Sequence, residues 1–150
     1  MLTNLQESYI QLIKLGIGTS RDVKISNDAN WVAMKSLADK QGLTAVVLDG
    51  LNVVHDSGLM DQGSMPQMLL LQWIGEVMQN YEQRYASYEK AISSLAGFYN
   101  QQGIKMMVLK GYACSMDWPN PKHRPCGDID IWQFGKQKEA DNILEKEKGI

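Results

Sequence analysis

The sequence is poor in the features that mark several large classes of protein. It has two cysteines, Cys114 and Cys126, which fit free thiols in a reducing compartment better than a disulfide framework. Its formal charge of −2 provides no global positive field for nucleic acid or an anionic membrane. No apolar run reaches the roughly 18 residues of a membrane span, and the N-terminus lacks a signal-peptide pattern. We therefore expect a cytoplasmic protein with no membrane attachment and no extended nucleic-acid surface.

What the sequence does contain is enough apolar material for a core, at 44% of its residues. Apolar side chains at helical spacing predict a first helix, which Gly16 stops. A second helix is predicted to begin at Asn27 or Asp28, either of which is a good N-cap, and to end at Gly42. Residues 43–54 are compatible with a strand or a short buried helix, and the neighbouring helices favour the helix.

The clearest periodic segment follows Pro66. Its apolar and aromatic residues recur close to the roughly 3.6-residue period of one face of a straight α-helix. These residues are Leu70, Ile74, Val77, Tyr81, Tyr85, Tyr88, Ile92, Leu95 and Tyr99. The tyrosines could form a base-stacking surface, but this spacing is more typical of a helix face packed in a core.

The pattern changes after residue 102. Residues 105–110 (KMMVLK) read as a buried strand, and residues 128–132 (DIDIW) alternate as a second strand does. Between them, residues 118–125 hold three of the four prolines and cannot form regular structure. A charged helix is predicted from residue 135 onward. The expected fold is therefore α+β, with a helical region over residues 1–102 and a different unit over 103–150.

Asp128 and Asp130 are the first candidates for chemistry. In a strand, residues i and i+2 project from the same face, so the two carboxylates would point one way while Ile129 and Ile131 point into the core. Two neighbouring carboxylates repel each other and do not improve packing, whereas a bound divalent cation removes their repulsion. Mg²⁺ typically accepts one or two carboxylates together with phosphate and water oxygens. The pair therefore predicts a metal site.

The preceding residues add features suited to phosphate. Gly111 lies between a predicted strand and a predicted helix start, where a backbone can approach a ligand closely, and Lys110 and Arg124 add positive charge. Residues 105–124 carry four Lys or Arg against one Asp. Gly127 leaves space beside the metal ligands. Judged from the residues alone, the segment fits a nucleotide–metal site and a solvated loop equally well. A zinc site built from Cys114, His123 and Cys126 has only three ligands and matches no common spacing.

The succession LKG, WPNP and RPCGDIDI resembles the uncharacterised nucleotidyltransferase family of the DNA polymerase beta-like superfamily. The resemblance is close over residues 104–144 and extends loosely to the N-terminal helices, where Trp31 and the long helix look similar to the family's helical lead-in. It implies the beginning of a polymerase beta-like core.

The resemblance also implies a two-metal reaction that moves a nucleoside monophosphate from a nucleoside triphosphate to an acceptor hydroxyl. Asp128 and Asp130 would be catalytic and would hold Mg²⁺ or Mn²⁺. The turn amides at Gly111 and Tyr112 would contact the phosphates, with help from Ser115.

Two features depart from the family pattern. The superfamily turn usually has Gly or Ser where this chain has Tyr112. The superfamily also supplies a third carboxylate from a later strand, whereas the acidic residues after Asp130 lie on a predicted helix. We therefore expect a fragment that is truncated at the C-terminus, or an incomplete enzyme. The alternative is a catalytically inactive module that binds nucleotide or a partner protein.

Overall fold

The chain is mostly helical with a small antiparallel sheet, which confirms the α+β class. The computed structural model describes residues 2–22, 25, 29–58 and 65–148. The helices in these ranges are α1 (Asn4–Gly16), α2 (Trp31–Gln41), α3 (Thr44–Asp56), α4 (Gln67–Val77), α5 (Gln83–Gln101), α6 (Gly111–Ser115) and α7 (Gln137–Lys148). The strands are β1 (Met107–Leu109) and β2 (Asp130–Trp132), while Met78–Glu82 form a π-helix and Pro121–His123 a 3₁₀ turn. No described helix is both long and apolar enough to cross a bilayer.

Helix α2 begins later than predicted. Its N-cap is Asn30, whose side-chain oxygen accepts a hydrogen bond from the Ala33 amide at 3.0 Å. The predicted caps Asn27 and Asp28 lie outside the described residues. Gly42 ends the helix as predicted, in a left-handed conformation with a φ of 67° that glycine adopts without a Cβ clash.

Residues Thr44–Asp56 form α3, which confirms that the ambiguous apolar segment is helical. This helix crosses α1 at two glycines. A Cβ at Gly50 would lie 2.0 Å from the Leu12 carbonyl oxygen, and a Cβ at Gly16 would lie 2.1 Å from the Val46 carbonyl oxygen. The two backbones therefore touch, and a side chain at either glycine would prevent the contact.

The long periodic segment is helical over residues 67–101, but the prediction of one straight α-helix is wrong. Met78–Glu82 adopt a π-helix, which adds residues to the turn and displaces the faces on either side of it. Trp73, which is absent from the predicted stripe, is fully buried and donates from Nε1 to the Thr44 carbonyl oxygen at 2.9 Å. Ile74, which belongs to the predicted stripe, is 37% exposed.

The chain divides into two compact units. The first comprises Met1–Gln83 with Trp118–Pro125, and the second comprises Arg84–Asp117 with Cys126–Ile150. Each unit has its own apolar core. The first core includes Leu12, Leu15, Met34, Val47, Leu51 and Trp73, and the second includes Tyr99, Ile104 and Ala140 with Leu95, Phe98, Ile131 and Ile143 packed against them.

The second unit contains the sheet. The strands pair antiparallel, with Met107 opposite Trp132, Val108 opposite Ile131 and Leu109 opposite Asp130. Because Ile131 packs against the core, Asp130 and Trp132 lie on the other face of β2. The strand is shorter than predicted, since it begins at Asp130 and Asp128 precedes it. Tyr85 and Tyr99 are buried, which confirms a packing role for these two tyrosines.

Candidate functional site

The turn between β1 and α6 is strained at Lys110. This residue has φ 50° and ψ −130°, a conformation that disfavours any side chain and is usual for glycine. The next residue, Gly111, approaches the acidic segment so closely that a Cβ there would lie 3.2 Å from the Asp128 carbonyl oxygen. The absence of a side chain at Gly111 therefore lets the turn reach Asp128. The structure thus brings together the predicted phosphate-binding turn and a predicted metal ligand.

The two aspartates stand at the beginning of β2. Asp128 is exposed, and the Asp130 side chain is 36% exposed. The Lys110 Nζ atom lies 3.4 Å from Asp130 Oδ2, on a side chain that is 75% exposed. Exposed ion pairs contribute little to stability, so Lys110 can exchange this carboxylate for another anion at small cost. Among the residues that the structure describes, no group of three or more His, Cys, Asp or Glu is arranged to hold a metal ion.

Ser115 and Tyr112 hold α6 against α5. Ser115 is fully buried, and its hydroxyl donates to the Tyr112 carbonyl oxygen at 2.6 Å and hydrogen-bonds with the Tyr85 hydroxyl at 3.0 Å. The Tyr112 ring stacks on Tyr85 with ring centroids 5.0 Å apart, and its hydroxyl donates to Glu89 Oε1 at 3.3 Å. Burial, the hydrogen bond with Tyr85 and the charge of Glu89 raise the pKa of Tyr112 to about 12. Both predicted ligands thus have structural partners.

Tyr88 holds the acidic segment in place, a role that helical periodicity does not indicate. Its hydroxyl donates to the carbonyl oxygens of Cys126 at 3.3 Å and Gly127 at 3.2 Å, and it accepts from Arg84 Nε at 3.0 Å. Gly127 is exposed, and a Cβ there would meet nothing within 4 Å, so there is open space next to Asp128. The only sequence signal for Tyr88 was its place in the stripe, which does not specify a partner 38 residues away.

Arg124, the remaining predicted phosphate ligand, belongs to the first unit. Its guanidinium carbon lies 5.8 Å from the centroid of the Trp118 ring, and Nη1 donates to the Pro125 carbonyl oxygen at 3.3 Å. Both contacts lie within the proline-containing loop. Lys110, Gly111, Tyr112, Ser115, Gly127, Asp128 and Asp130 all belong to the second unit.

His123 fastens that loop to the helices of the first unit. Its Nδ1 lies 2.8 Å from Asp49 Oδ1 on α3, and its Nε2 lies 3.1 Å from Glu82 Oε1 on the π-helix. Burial lowers the pKa of His123, but the hydrogen bonds and charges of Asp49 and Glu82 outweigh burial and raise it. A protonated imidazole donates through both nitrogens, so the bridge is charge-assisted. The three-ligand zinc alternative is not assembled among the described residues, and neither Cys114 nor Cys126 forms a disulfide.

The comparison with known families is decisive for classification. A family model described as uncharacterised nucleotidyltransferase matches residues 27–149, a range that includes the strained turn and both aspartates. The chain belongs to the uncharacterised nucleotidyltransferase family. No curated protein and no solved structure matches it. Membership of this nucleotidyltransferase family supports nucleotidyl transfer as the general activity and a nucleoside triphosphate as the substrate class.

Proposed function

We propose that this chain binds a divalent metal ion with a nucleoside triphosphate and transfers the nucleoside monophosphate to an acceptor hydroxyl, with release of pyrophosphate. The observation that carries the proposal is the pairing of β1 with β2, which places Lys110 and Gly111 beside Asp128 and Asp130. A cationic turn next to two carboxylates suits both parts of a metal nucleotide, the phosphates and the cation. Residues 103–150 would form the N-terminal part of the polymerase beta-like core, and residues 1–102 its helical lead-in.

The side chains present fit a divalent ion. Asp128 and Asp130 offer hard oxygen ligands on accessible side chains, and Mg²⁺ or Mn²⁺ prefers such ligands together with phosphate and water oxygens. The bound ion would neutralise the triphosphate and polarise the phosphoryl oxygens. The hydrogen bonds from Tyr88 to the loop just before Asp128 restrict the backbone that carries this carboxylate. Such restraint favours a metal ligand held in one position.

Around the metal, each residue would have a separate role. Lys110 would move its ammonium from Asp130 to a phosphate, and the backbone at Gly111 and Tyr112 would line the phosphate side. Ser115 would position α6 through its hydrogen bonds, and Gly127 would leave room for the ligand. Arg124 remains a phosphate ligand predicted from sequence. In the reaction, the acceptor hydroxyl would release its proton to water, and its oxygen would bond to the α-phosphorus as the bond to pyrophosphate breaks.

The test is Mg–ATP binding by calorimetry, combined with an assay for pyrophosphate release. Asp128→Asn and Asp130→Asn are expected to weaken Mg–ATP binding about tenfold or more, because each removes a charged ligand. Asp141→Asn, which changes an exposed carboxylate on α7, is the matched control and is expected to bind normally. Normal binding by both site variants would exclude this metal site. Metal-dependent binding without pyrophosphate release, tested across candidate acceptors, would favour the binding-module alternative.

A further inference from the structure

The face of the sheet that carries Asp130 also carries an exposed pair of stacked aromatic rings. Trp132 and Phe134 lie with ring centroids 4.2 Å apart and an interplanar angle of 29°, and they are 45% and 48% exposed. Met107, directly opposite Trp132 in the register, is 41% exposed. The opposite face of β2 buries Ile131 against the core of the second unit. The Trp132–Phe134 stack is therefore outside the core.

Backbone strain helps to form this stack. Phe134 has a φ of 53°, which is unfavourable for an aromatic residue, and Gly135 follows it with a φ of 85°. With this backbone the Phe134 ring lies against Trp132 and remains 48% exposed. Phe134 and Gly135 belong to a turn between β2 and α7 that the Lys136 amide closes by donating to the Gln133 carbonyl oxygen at 3.0 Å, and both rings remain half exposed. Strained residues near a proposed ligand site are a reason to look for a ligand.

The position of the stack indicates which ligand it fits. Asp130 and Trp132 are two residues apart on the same strand face, a separation of roughly 7 Å. Asp130 would hold the metal bound to the triphosphate, and Lys110 lies beside it. In a nucleoside triphosphate, the base is joined to the phosphates through one ribose. A single ligand can therefore place its phosphates at Asp130 and its base at the stack.

We propose that Trp132 and Phe134 form the stacking surface for the base of the nucleoside triphosphate, with the base extending the stack as a third ring. This inference rests on the proposed function, since it assigns the base of the same substrate. Stacking uses the π-face that all bases share and reads no hydrogen-bonding edge. The site therefore accepts several nucleoside triphosphates and discriminates weakly among them, according to stacking strength.

The test separates base recognition from phosphate recognition. Calorimetry measures the binding of Mg–ATP and of Mg–tripolyphosphate, which has the phosphates and no base, to the full chain and its variants. Trp132→Ala is expected to weaken Mg–ATP binding about tenfold and to leave Mg–tripolyphosphate binding unchanged. Trp132→Phe keeps an aromatic face and is expected to bind nearly as the parent does. Leu71→Ala, which truncates another exposed apolar side chain at 56% exposure, is the matched control, and far-UV circular dichroism checks folding.

A fluorescence experiment does not depend on the folding of Trp132→Ala. Mg–ATP is expected to quench tryptophan emission in the parent, and this quenching should disappear in Trp132→Phe while calorimetric binding persists. Equal loss of ATP and tripolyphosphate affinity in Trp132→Ala would overturn the assignment. The assignment would also be overturned if Trp132→Ala left the affinity for Mg–ATP unchanged while Asp130→Asn lowered it. The metal site would then bind the nucleotide without any contribution from the Trp132–Phe134 stack. An altered affinity for an acceptor alone would also overturn the assignment. Normal Mg–ATP binding in both Asp128→Asn and Asp130→Asn would instead exclude the metal site, and the proposed function would fail with it.

Discussion

The backbone contact between α1 and α3 leads to a sharp prediction for Gly50→Ala. The new Cβ would lie 2.0 Å from the Leu12 carbonyl oxygen, whereas ordinary contact begins at 3.4 Å. Both atoms are fixed to helix backbones, so the helices must separate and loosen the packing around Leu12 and Val47, which are fully buried. Overpacking costs about 1–3 kcal/mol, and we expect a cost of about 3 kcal/mol here because the Leu12 carbonyl group belongs to a helix backbone that cannot move alone. The higher helix propensity of alanine offsets about 1 kcal/mol of this cost, so the free energy of unfolding should fall by about 2 kcal/mol.

Urea denaturation monitored by circular dichroism measures this loss, and thermal unfolding should show a decrease in Tm of about 4–8 °C. Gly97→Ala is the control, because Gly97 lies in α5 with nothing within 4 Å of its Cβ position. That variant is expected to be more stable by about 0.5–1 kcal/mol. In the double variant with Gly16→Ala, the second substitution should cost less than it does alone, because one separation relieves both clashes. A Gly50→Ala protein as stable as the parent would refute the backbone contact.

Three further perturbations test other parts of the structure. Gly111→Ala should weaken Mg–ATP binding, because its Cβ displaces the Asp128 backbone, and unchanged calorimetric affinity would contradict that geometry. The folded pKa of His123 is raised, so its stabilising contribution is complete below the unfolded pKa of about 6.5 and is lost as the pH rises through the folded value. Urea midpoints of the parent and His123→Gln should therefore differ most below about pH 6.5 and converge as the pH rises through the raised pKa of His123, and a constant difference would exclude the bridge. Lys35 is buried and forms an ion pair with Glu76, so Lys35→Ala should destabilise the protein by about 2 kcal/mol. This loss is smaller than the loss expected when a fully buried ion pair is broken, because the carboxylates that Lys35 leaves behind reach solvent. A urea midpoint equal to that of the parent would show that the pair has no stabilising role.

Local patterns were sufficient to predict most of the helices. Gly42 ends α2 because its left-handed conformation is a local requirement, and the neighbouring helices were enough to favour a helix for the apolar segment of α3. The π-helix at Met78–Glu82 was not predictable from periodicity, since a mean spacing conceals one enlarged turn. Within α4, Trp73 and Ile74 both lie at helical spacing from Leu70 and Val77, so the period alone did not choose between them.

The candidate site was predictable in composition and less so in geometry. The motif itself contains Lys110, Gly111 and both aspartates, and the antiparallel pairing brings them together. The positive φ of Lys110 was not predictable, because local preference opposes it and tertiary contacts impose it. The anchoring role of Tyr88 depends on carbonyl groups 38 and 39 residues away. A periodic pattern carries no information about such partners.

Because the conformation of Lys110 is strained, selection for stability and selection for activity should favour different residues at this position. Glycine adopts a φ of 50° without a Cβ clash, so it should be more stable than lysine there by about 1 kcal/mol or more. A library selected only for survival of heat should therefore accumulate glycine at 110 and lose the ammonium beside Asp130. A library selected for nucleotidyl transfer should retain lysine despite its strain. The residue found at 110 in the surviving clones would thus show which pressure had acted on them.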